Sequence, residues 1–444
     1  MGSNDLINIV FQVCKTMQNE IRFALNFIHN CKKAAGKRLW HHYFCQRNFT
    51  SVLGIETSCD DTGAAVIETS GKLLGDCLSS QARISVMLGG VVPSVAAELH
   101  KENIESVVNT AMAKSNIGFR DLNFVAVTVK PGMPLSLKIG VSFAKSLASR
   151  LKIPIIPIDH MEAHALTALF TDPQLKFPYM ILLISGGHSI LGIVQGLEDY
   201  VLLGTALDAS PGDILDKISR RLKLNRLSNE CLKGVAGGKA IEIIAKTYNG
   251  DHQRFNLPLP RSQSKDCDFS FSGIHVAAEQ LINKLESENH GNGCTLSTQD
   301  IADVCASVQF CMTRLICRRV QRAIEYCLLN TDSRASVIRN HPTALVVSGG
   351  VGSNCVIRAG LTEVANYYNL RFVAPPSSLC TDNGIMIAWN GVLLQKENSS
   401  RITEDISSVD FCPRSTFGVD CREDVKQANI SIEPIKLSNT IFQS

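Results

Sequence analysis

Two segments of the chain share one form, an apolar run that leads straight into Ser-Gly-Gly. They are ILLISGGHS at residues 181–189 and ALVVSGGVGSN at residues 344–354. Each predicts a buried strand and a turn whose glycines let the backbone approach a ligand and whose free amides can bind phosphate or carboxylate oxygens. One such turn indicates little more than a chain reversal. Two of them, with a third strand and turn in VLGIETSCDDT at residues 52–62, predict a duplicated nucleotide-binding fold.

The order of the predicted elements divides the 444 residues of the chain around these turns. We expect a first α/β domain over residues 51–176 and a second over residues 177–380, with a nucleotide cleft between them. A helix within residues 381–416 is expected to pack back on the first domain, and residues 417–444 to form a polar tail. In open α/β folds, ligands bind beyond the carboxyl ends of the strands, which is where the glycine turns fall.

The first 50 residues differ from the rest of the chain in their charge. They hold seven lysines and arginines against two acids, although the whole chain carries only +3. A basic, acid-poor segment with a partly helical pattern is typical of a mitochondrial presequence, so we expect residues 1–50 to be cleaved on import; a basic disordered tail is the alternative. The sequence contains no apolar run of membrane-spanning length. Its 16 scattered cysteines lack a Cys-x-x-Cys pair, which favours reduced thiols.

The segment DHMEAH at residues 159–164 places two histidines four positions apart at the predicted start of a helix. That spacing puts the imidazoles of His160 and His164 on one helix face, within reach of one cation. Asp382, in the polar turn CTDNG, is the candidate third ligand. Such a set leaves positions open for a substrate oxygen and suits iron, zinc or manganese alike. A surface or capping arrangement of the histidines, and a helix N-cap at Asp382, are the alternatives.

Other polar residues flank the predicted turns. Asp60 and Asp61 directly follow the first strand, where carboxylates can orient a metal or activate an amine, or serve only as turn residues. Asp216 lies in a helix whose start is marked by Pro211, and its carboxylate could accept hydrogen bonds from a ribose diol. Asn354 stands where an adenine or a ribose could be bound. The residues alone leave a structural role open for each of these side chains.

The body of the chain also carries two basic clusters. The first contains Lys217, Arg220, Arg221, Lys223 and Arg226, and the second, near one helix face, contains Arg314, Arg318, Arg319 and Arg322. Patches of this kind bind nucleic-acid phosphates, even in a protein whose net charge is near zero. Solvated helix faces without a ligand are the alternative.

Taken together, these motifs resemble the TsaD family of tRNA threonylcarbamoyl transferases, in particular its mitochondrial branch. The resemblance runs from about residue 52 to about residue 414, and seven segments carry it in order: GIETSCDDTG (54–63), GGVVP (89–93), DHMEAH (159–164), LLISGGH (182–188), DFSFSG (268–273), VSGGVGSN (347–354) and CTDNG (380–384). The family has the duplicated α/β fold of actin-like proteins, sugar kinases and heat-shock-chaperone ATPases, which agrees with the prediction from the turns.

The resemblance implies an enzyme that uses threonylcarbamoyl-AMP, made by a separate synthase from threonine, bicarbonate and ATP. The threonylcarbamoyl group is moved to N6 of adenosine 37 in tRNAs that read codons beginning with A, and AMP is released. The resemblance further implies one divalent metal ion per subunit, a mitochondrial tRNA as partner, a homodimer that acts without accessory subunits, and a place in the mitochondrial matrix.

The resemblance also assigns roles to positions of this sequence. It maps the metal ligands onto His160, His164 and Asp382, and it maps the acidic residue after ETSCD onto Asp61, which with Asp60 forms the catalytic candidates. The expected contacts with the adenylate are Leu183, Ile184, Ser185, Gly186, Gly187, Asp216, Gly238, Ser348, Gly349, Gly350 and Asn354.

Three other functions remain alternatives at this point. An actin-like ATPase or small-molecule kinase would leave the histidine pair without a role. A nucleotide-binding scaffold in mitochondrial genome maintenance would need neither the metal nor chemistry. A zinc protease would need a glutamate directly after the first histidine, whereas here Glu162 lies in the middle of the pair.

Overall fold

Eleven strands in the described part of the chain build two sheets. This computed structural model describes residues 50–227, 230–232, 234–288, 296–330, 337–438 and 441, so the predicted presequence lies outside the described residues except for Thr50. The strands are β1 (Ser51–Glu56), β2 (Asp61–Glu68), β3 (Leu73–Ser80), β4 (Phe124–Lys130), β5 (Ile155–Asp159), β6 (Tyr179–Ile184), β7 (Ser189–Gly196), β8 (Asp199–Thr205), β9 (Ala344–Ser348), β10 (Arg371–Val373) and β11 (Val419–Asp420).

The two sheets repeat one arrangement of strands. The first has the order β3-β2-β1-β4-β5 and the second has the order β10-β9-β6-β7-β8-β11. In each sheet three consecutive strands form an antiparallel meander, and two later strands add in parallel beside the first strand of the meander. Strands β1, β2, β3, β4 and β5 thus correspond to β6, β7, β8, β9 and β10. This correspondence confirms the duplication predicted from the Ser-Gly-Gly segments.

Helices connect the strands and cover the sheets. They are α1 (Ala82–Leu88), α2 (Pro93–Ser115), α3 (Pro134–Leu151), α4 (His160–Thr171), α5 (Pro211–Arg221), α6 (Gly237–Thr247), α7 (Ser272–Glu288), α8 (Thr298–Asn330), α9 (Cys355–Tyr367), α10 (Gly384–Lys396) and α11 (Arg422–Gln427). Proline at the first turn of α2, α3 and α5 sets the helical φ where no backbone donor is needed. Within the described residues, no helix is long and apolar enough to cross a membrane.

The apolar runs of the sequence become the central strands of the sheets. Every residue of β1 and of β6 is buried, including Leu53, Ile55 and Leu182, because helices pack on both faces of these strands. A strand covered on both faces has no polar side and is therefore seen in the sequence as an unbroken apolar run. The core consists of such strands and the apolar faces of the helices beside them.

Helix α10 follows the second sheet in the chain but packs on the first. Its residues Met386, Ile387 and Ala388 lie in one apolar cluster with side chains of β1, β2, β4 and β5. The approach is close because the backbones meet without side chains between them. A Cβ atom added at Gly54 would lie 2.2 Å from the backbone nitrogen of Ala388, and one at Gly384 would lie 2.3 Å from the backbone of Ala64. This contact fixes the start of α10 against the first hairpin.

Two strands were not predicted, β8 and β11. The segment predicted to be a polar tail contains β11, which pairs in parallel with β8, and α11, whose Val425 is fully buried. A strand of two residues and a helix of six residues are too short to show a hydrophobic period. The strand β11 depends on its pairing with β8, which lies more than 200 positions earlier in the chain. The prediction of a polar tail therefore needs correction at β11 and α11.

The packing of α10 leads to a stability prediction. Gly384→Ala should lower the free energy of unfolding by about 1–3 kcal/mol or more, because the new methyl group meets backbone atoms that cannot rotate away. Urea denaturation of the variant and the parent measures the change. Gly196→Ala is the matched control, since its nearest neighbour, the Cβ of Asp199, lies 3.6 Å from the new Cβ. Equal stability of the two variants would contradict the proposed close contact.

Candidate functional site

Two histidines and an aspartate meet at the start of two helices. His160 is the first residue of α4, directly after β5, and Asp159 caps that helix by accepting hydrogen bonds from the amides of Met161 and Glu162. His160 and His164 therefore lie one turn apart on the same helix face. Asp382 lies two residues before α10, whose N-cap is Asn383. Since other residues cap both helices, the capping alternatives for the histidines and for Asp382 are wrong.

The three side chains are close enough to hold one cation. The Oδ1 atom of Asp382 lies 3.1 Å from Nε2 of His164 and 3.5 Å from Nε2 of His160. Potential ligand atoms of the three residues all lie within 4.8 Å of one another, and no other group of three such residues occurs in the described part of the chain. The three residues fit a divalent metal ion, because imidazole nitrogen and carboxylate oxygen are common ligands of zinc and iron.

The electrostatics of this site favour positive charge. Burial by itself would lower the pKa of His160, but Asp382 and Glu56 raise it to about 9. Burial alone would likewise raise the pKa of Asp382, yet the neighbouring His160 and a hydrogen bond with His164 hold it below its usual value. Both shifts show that an anionic carboxylate and a positive charge stabilise each other here. A metal cation would satisfy the same preference.

Glu56 supports this site, although it was not selected among the candidate residues. It is the last residue of β1 and is completely buried. Its Oε2 atom lies 3.1 Å from Nδ1 of His160 and accepts a hydrogen bond of 2.6 Å from the hydroxyl of Thr128, while Oε1 accepts one of 2.5 Å from the amide of Ser58. An acidic residue in an otherwise apolar strand was the sequence signal that could have identified it.

His188 is a second residue of the site that was not selected. It follows the first Ser-Gly-Gly turn, which consists of Ser185, Gly186 and Gly187, and the centre of its ring lies 6.2 Å from that of His160. Burial, together with the charge of His160, lowers the pKa of His188 to about 4. The histidine therefore stays neutral at physiological pH. Its position joins the glycine turn to the histidine pair.

The first Ser-Gly-Gly turn lies beside the second, which consists of Ser348, Gly349 and Gly350. The turns follow β6 and β9, which are neighbouring parallel strands. Gly349 has φ +95°, and a Cβ atom on it would lie 2.3 Å from the carbonyl oxygen of Ile184, so glycine is needed there. By contrast, a Cβ atom on Gly186, Gly187 or Gly350 would meet no atom within 4 Å. The two turns thus border open space in which a ligand could bind.

Two of the other predicted contacts, Asp216 and Asn354, have structural partners of their own. Asp216 on α5 accepts a hydrogen bond of 2.7 Å from the amide of Gly237 at the start of α6, beside Gly238. Asn354 caps α9, with its Oδ1 atom accepting from the amides of Val356 and Ile357. The oxygen of that amide is occupied, so its nitrogen is the group left to contact a ligand. Leu183 and Ile184 are buried at the end of β6 and contribute backbone rather than side chains.

The catalytic candidates Asp60 and Asp61 lie in the turn between β1 and β2. Asp60 accepts a hydrogen bond of 2.8 Å from the hydroxyl of Ser85, and Asp61 is the first residue of β2. His100, which was not among the predicted site residues, holds this turn from α2. It is fully buried, with Nε2 2.9 Å from the carbonyl oxygen of Cys59 and Nδ1 2.8 Å from the hydroxyl of Thr62. The position of the two aspartates is therefore fixed from both sides.

Two of the four arginines of the second basic cluster are internal, whereas Arg314 is exposed and Arg318 is half-buried. Arg319 and Arg322 are 1% and 2% exposed. Arg319 donates hydrogen bonds to the backbone carbonyls of Ser264, Asp266 and Arg261, and Arg322 donates to that of Asp266. These two side chains hold a loop against α8 and cannot reach a nucleic acid from this position. For Arg319 and Arg322, both predictions are therefore wrong: they form neither a patch that binds nucleic-acid phosphates nor a solvated helix face.

The first basic cluster is partly neutralised by the protein itself. Arg221 forms ion pairs with Glu279 and Glu286, and Lys217 forms one with Asp213. Three further members are exposed: Arg220, which donates a hydrogen bond to the carbonyl oxygen of Gly89, Lys223 and Arg226. The exposed positive charge of this cluster is thus concentrated after the middle of α5.

Comparison with known proteins identifies the family. Residues 72–389 match TsaD, the tRNA N6-adenosine threonylcarbamoyltransferase family. The chain is 43% identical over 387 residues to the mitochondrial tRNA N6-adenosine threonylcarbamoyltransferase of Homo sapiens, covering 87% of this chain and 90% of that protein. It is 39% identical to a probable mitochondrial enzyme of Drosophila melanogaster over 92% of this chain and 99% of that protein. A Sinorhizobium medicae enzyme is 36% identical over 83% of this chain and 95% of that protein.

Each of these relatives aligns with well over half of the chain and is more than one third identical to it. The chain belongs to the TsaD family of tRNA N6-adenosine threonylcarbamoyltransferases. The protein is therefore a transferase that modifies tRNA, and both the resemblance drawn from its motifs and the predicted enzyme class are confirmed. The duplicated, actin-like α/β fold is confirmed by the two mixed sheets together with the family.

The environment of Asp61 leads to a prediction about pH. Burial, with further contributions from Asp382, Asp60 and Glu56, raises the pKa of Asp61 to about 7. The folded protein therefore keeps a proton that the unfolded chain loses near pH 4, so the free energy of unfolding should fall as the pH rises from about 4 to about 7. Asp61→Asn should remove this dependence and stabilise the metal-free protein at pH 8 by about 1–3 kcal/mol.

Urea denaturation of the metal-free parent and of Asp61→Asn at several pH values measures this difference. The other titrating groups of the site are present in both proteins, so the difference between the two curves reports Asp61 together with its interactions with Asp382, Asp60 and Glu56. An identical pH dependence in the two proteins would show that Asp61 is ionised at its ordinary pKa in the folded state.

Proposed function

We propose that the protein transfers the threonylcarbamoyl group of threonylcarbamoyl-AMP to N6 of adenosine 37 in mitochondrial tRNAs that read codons beginning with A. The observation that carries this proposal is the cluster of the buried His160 and His164 with the half-buried Asp382, beside two open glycine turns, in a chain of the TsaD family. With a cation bound, the cluster would stabilise negative charge on a substrate oxygen, and the turns leave room for a phosphate and its nucleotide. The adenine N6 and the carbamoyl carbon would then react close to the cation, where negative charge develops on the substrate oxygens.

The adenylate would bind across the two Ser-Gly-Gly turns. Gly186, Gly187 and Gly350 have no atom within 4 Å of an added Cβ, so phosphate and carbamoyl oxygens can come close to the backbone there. The free amide nitrogen of Asn354 would contact the adenine or the ribose, while Asp216 and Gly238 would contact the ribose side. Such contacts hold the reacting carbonyl in place, and positioning of this kind contributes several kcal/mol to catalysis, on the order of 7–11 at most.

His160, His164 and Asp382 would hold one divalent metal ion. When bound, the ion would supply positive charge beside the phosphate and carbamoyl oxygens. Two protein nitrogens and one carboxylate oxygen leave further coordination positions open. Glu56, which is completely buried, closes the protein side of this site, and the neutral, half-buried His188 lies beside it.

The reaction would proceed by attack of the adenine N6 on the carbamoyl carbon. A carbon–nitrogen bond forms, the bond between that carbon and the phosphate oxygen breaks, and AMP leaves with the electron pair. Asp61 would accept the proton that N6 loses, because its pKa of about 7 suits a general base near neutral pH. Asp60, held by Ser85, would keep the turn in place.

The names of the relatives support part of the proposed setting of this reaction. Six vertebrate and insect relatives carry the word mitochondrial in their names, which supports a mitochondrial location for this chain. We propose the matrix as the compartment, residues 1–50 as a cleaved presequence, a homodimer as the active form, and a separate synthase as the source of threonylcarbamoyl-AMP.

The metal role leads to a direct prediction. His160→Ala should reduce threonylcarbamoyl transfer at least about 100-fold, because the cation loses a ligand while the fold keeps its core. The measurement supplies the purified protein with synthetic threonylcarbamoyl-AMP and an unmodified mitochondrial tRNA, and quantifies modified adenosine by mass spectrometry after digestion.

His275→Ala serves as the matched control, since His275 lies on α7 and pairs with Glu279 away from the site. Its activity should equal that of the parent. Full activity of His160→Ala would exclude the metal role, whereas no product from the folded, metal-loaded parent would exclude the proposed reaction.

A further inference from the structure

We propose that Glu56 is a positioning residue that fixes the ring of His160, so that the two histidines of the proposed metal site differ in function. His160 would be a rigid ligand whose tautomer is set by the protein, and His164 an adjustable one. This inference deepens the proposed function and rests on the metal site described there.

The contacts of Glu56 hold its carboxylate in a single orientation. One oxygen accepts from the hydroxyl of Thr128 on the neighbouring strand β4, and the other accepts from the amide of Ser58. Two anchors on different elements leave the carboxylate no freedom to rotate. A carboxylate that is completely buried is costly unless such hydrogen bonds satisfy it, so its presence at the end of an apolar strand requires a partner that gains from it.

That partner is His160. An ionised carboxylate only accepts hydrogen bonds, so the Nδ1 atom of His160, 3.1 Å from Oε2 of Glu56, must carry the proton. The hydroxyl oxygen of Ser58 also lies 3.1 Å from this nitrogen. With the proton on Nδ1, the lone pair of the neutral ring is on Nε2, which faces Asp382 at 3.5 Å. This is the arrangement in which an outer carboxylate orients a metal-binding histidine and increases its basicity.

His164 has no comparable support. Its Nε2 atom lies 3.1 Å from Asp382, but its Nδ1 atom is buried and, among the described residues, has no hydrogen-bond partner. No carboxylate therefore fixes the tautomer of this ring or its rotation. The ring is held by packing and by Asp382 alone. Loss of the outer support should accordingly weaken metal binding through His160 and not through His164.

Metal affinity measures this role without reference to transfer. Glu56→Gln keeps the size of the side chain but removes its charge, and its amide nitrogen can donate towards Nδ1 and favour the wrong tautomer. We expect the dissociation constant for Zn²⁺, measured by chelator-buffered titration of the metal-free full-length protein, to rise about 10- to 100-fold. Thr128→Val removes one anchor of Glu56 and should raise the constant by a smaller factor.

Glu162→Gln is the matched control. Glu162 is a buried carboxylate on the same helix as His160, but it pairs with Arg401 instead of a histidine. Its replacement should leave the Zn²⁺ dissociation constant within about twofold of the parent, since the Glu162 carboxylate pairs with Arg401 and orients neither histidine ring. Circular dichroism and thermal unfolding of each variant separate a loss of affinity from a loss of fold.

A spectroscopic measurement completes the test. Nitrogen-15 NMR of histidine-labelled, Zn²⁺-loaded protein should show the His160 ring protonated at Nδ1 in the parent, and this signal should be lost or shifted in Glu56→Gln. A folded Glu56→Gln protein that binds Zn²⁺ as tightly as the parent would overturn the inference and leave the proposed function intact. If Glu56→Gln does not fold, an unchanged affinity in Thr128→Val would overturn it instead. A parent that binds no Zn²⁺, Mn²⁺ or Fe²⁺ would overturn both the inference and the metal role.

Discussion

The meeting of Asp382 with His160 and His164 depends on backbone contact between α10 and the first hairpin. Asp382 and His164 are 218 positions apart in the chain. Gly54 and Gly384 let the helix approach so closely that a Cβ atom on either one would overlap backbone atoms of the other element. Because rigid backbones are in contact, the start of α10 has one position, and the carboxylate two residues before it reaches the histidines. Glycine at these sites thus determines the geometry of a centre to which it contributes no functional atom.

Much of the fold could be predicted because its central strands are unbroken apolar runs. The runs before both Ser-Gly-Gly turns became β6 and β9, and the four-residue spacing of His160 and His164 correctly gave one helix face. Glu56 and His188 were visible in the motifs, but their importance depends on neighbours contributed by other elements, Thr128 on β4 and His160 on α4. Periodicity describes one element at a time, so it does not show which polar side chains tertiary structure brings together.

The arginines of α8 show the same limit in a different way. A basic stripe along a helix has the same sequence pattern whether solvent, nucleic acid or the protein itself covers it. Here a loop covers Arg319 and Arg322, and its backbone carbonyls accept their hydrogen bonds. The loop makes few backbone pairs of its own, and buried carbonyls need donors. The guanidinium groups supply them, so their positive charge serves internal structure and is not available to a polyanionic partner.

The same site also holds two carboxylates whose proton affinities differ in direction. Burial acts on both, but Asp382 faces two histidines, which lower its pKa, whereas Asp61 has other carboxylates nearby and its pKa rises to about 7. Asp382 therefore remains an anion, as a metal ligand must, while Asp61 can take up and release a proton near neutral pH. Separate environments thus give one residue type two chemical roles within one cleft. The two pKa values differ because the histidines lie next to Asp382. Glu56 and the start of α4 hold His160 in that position.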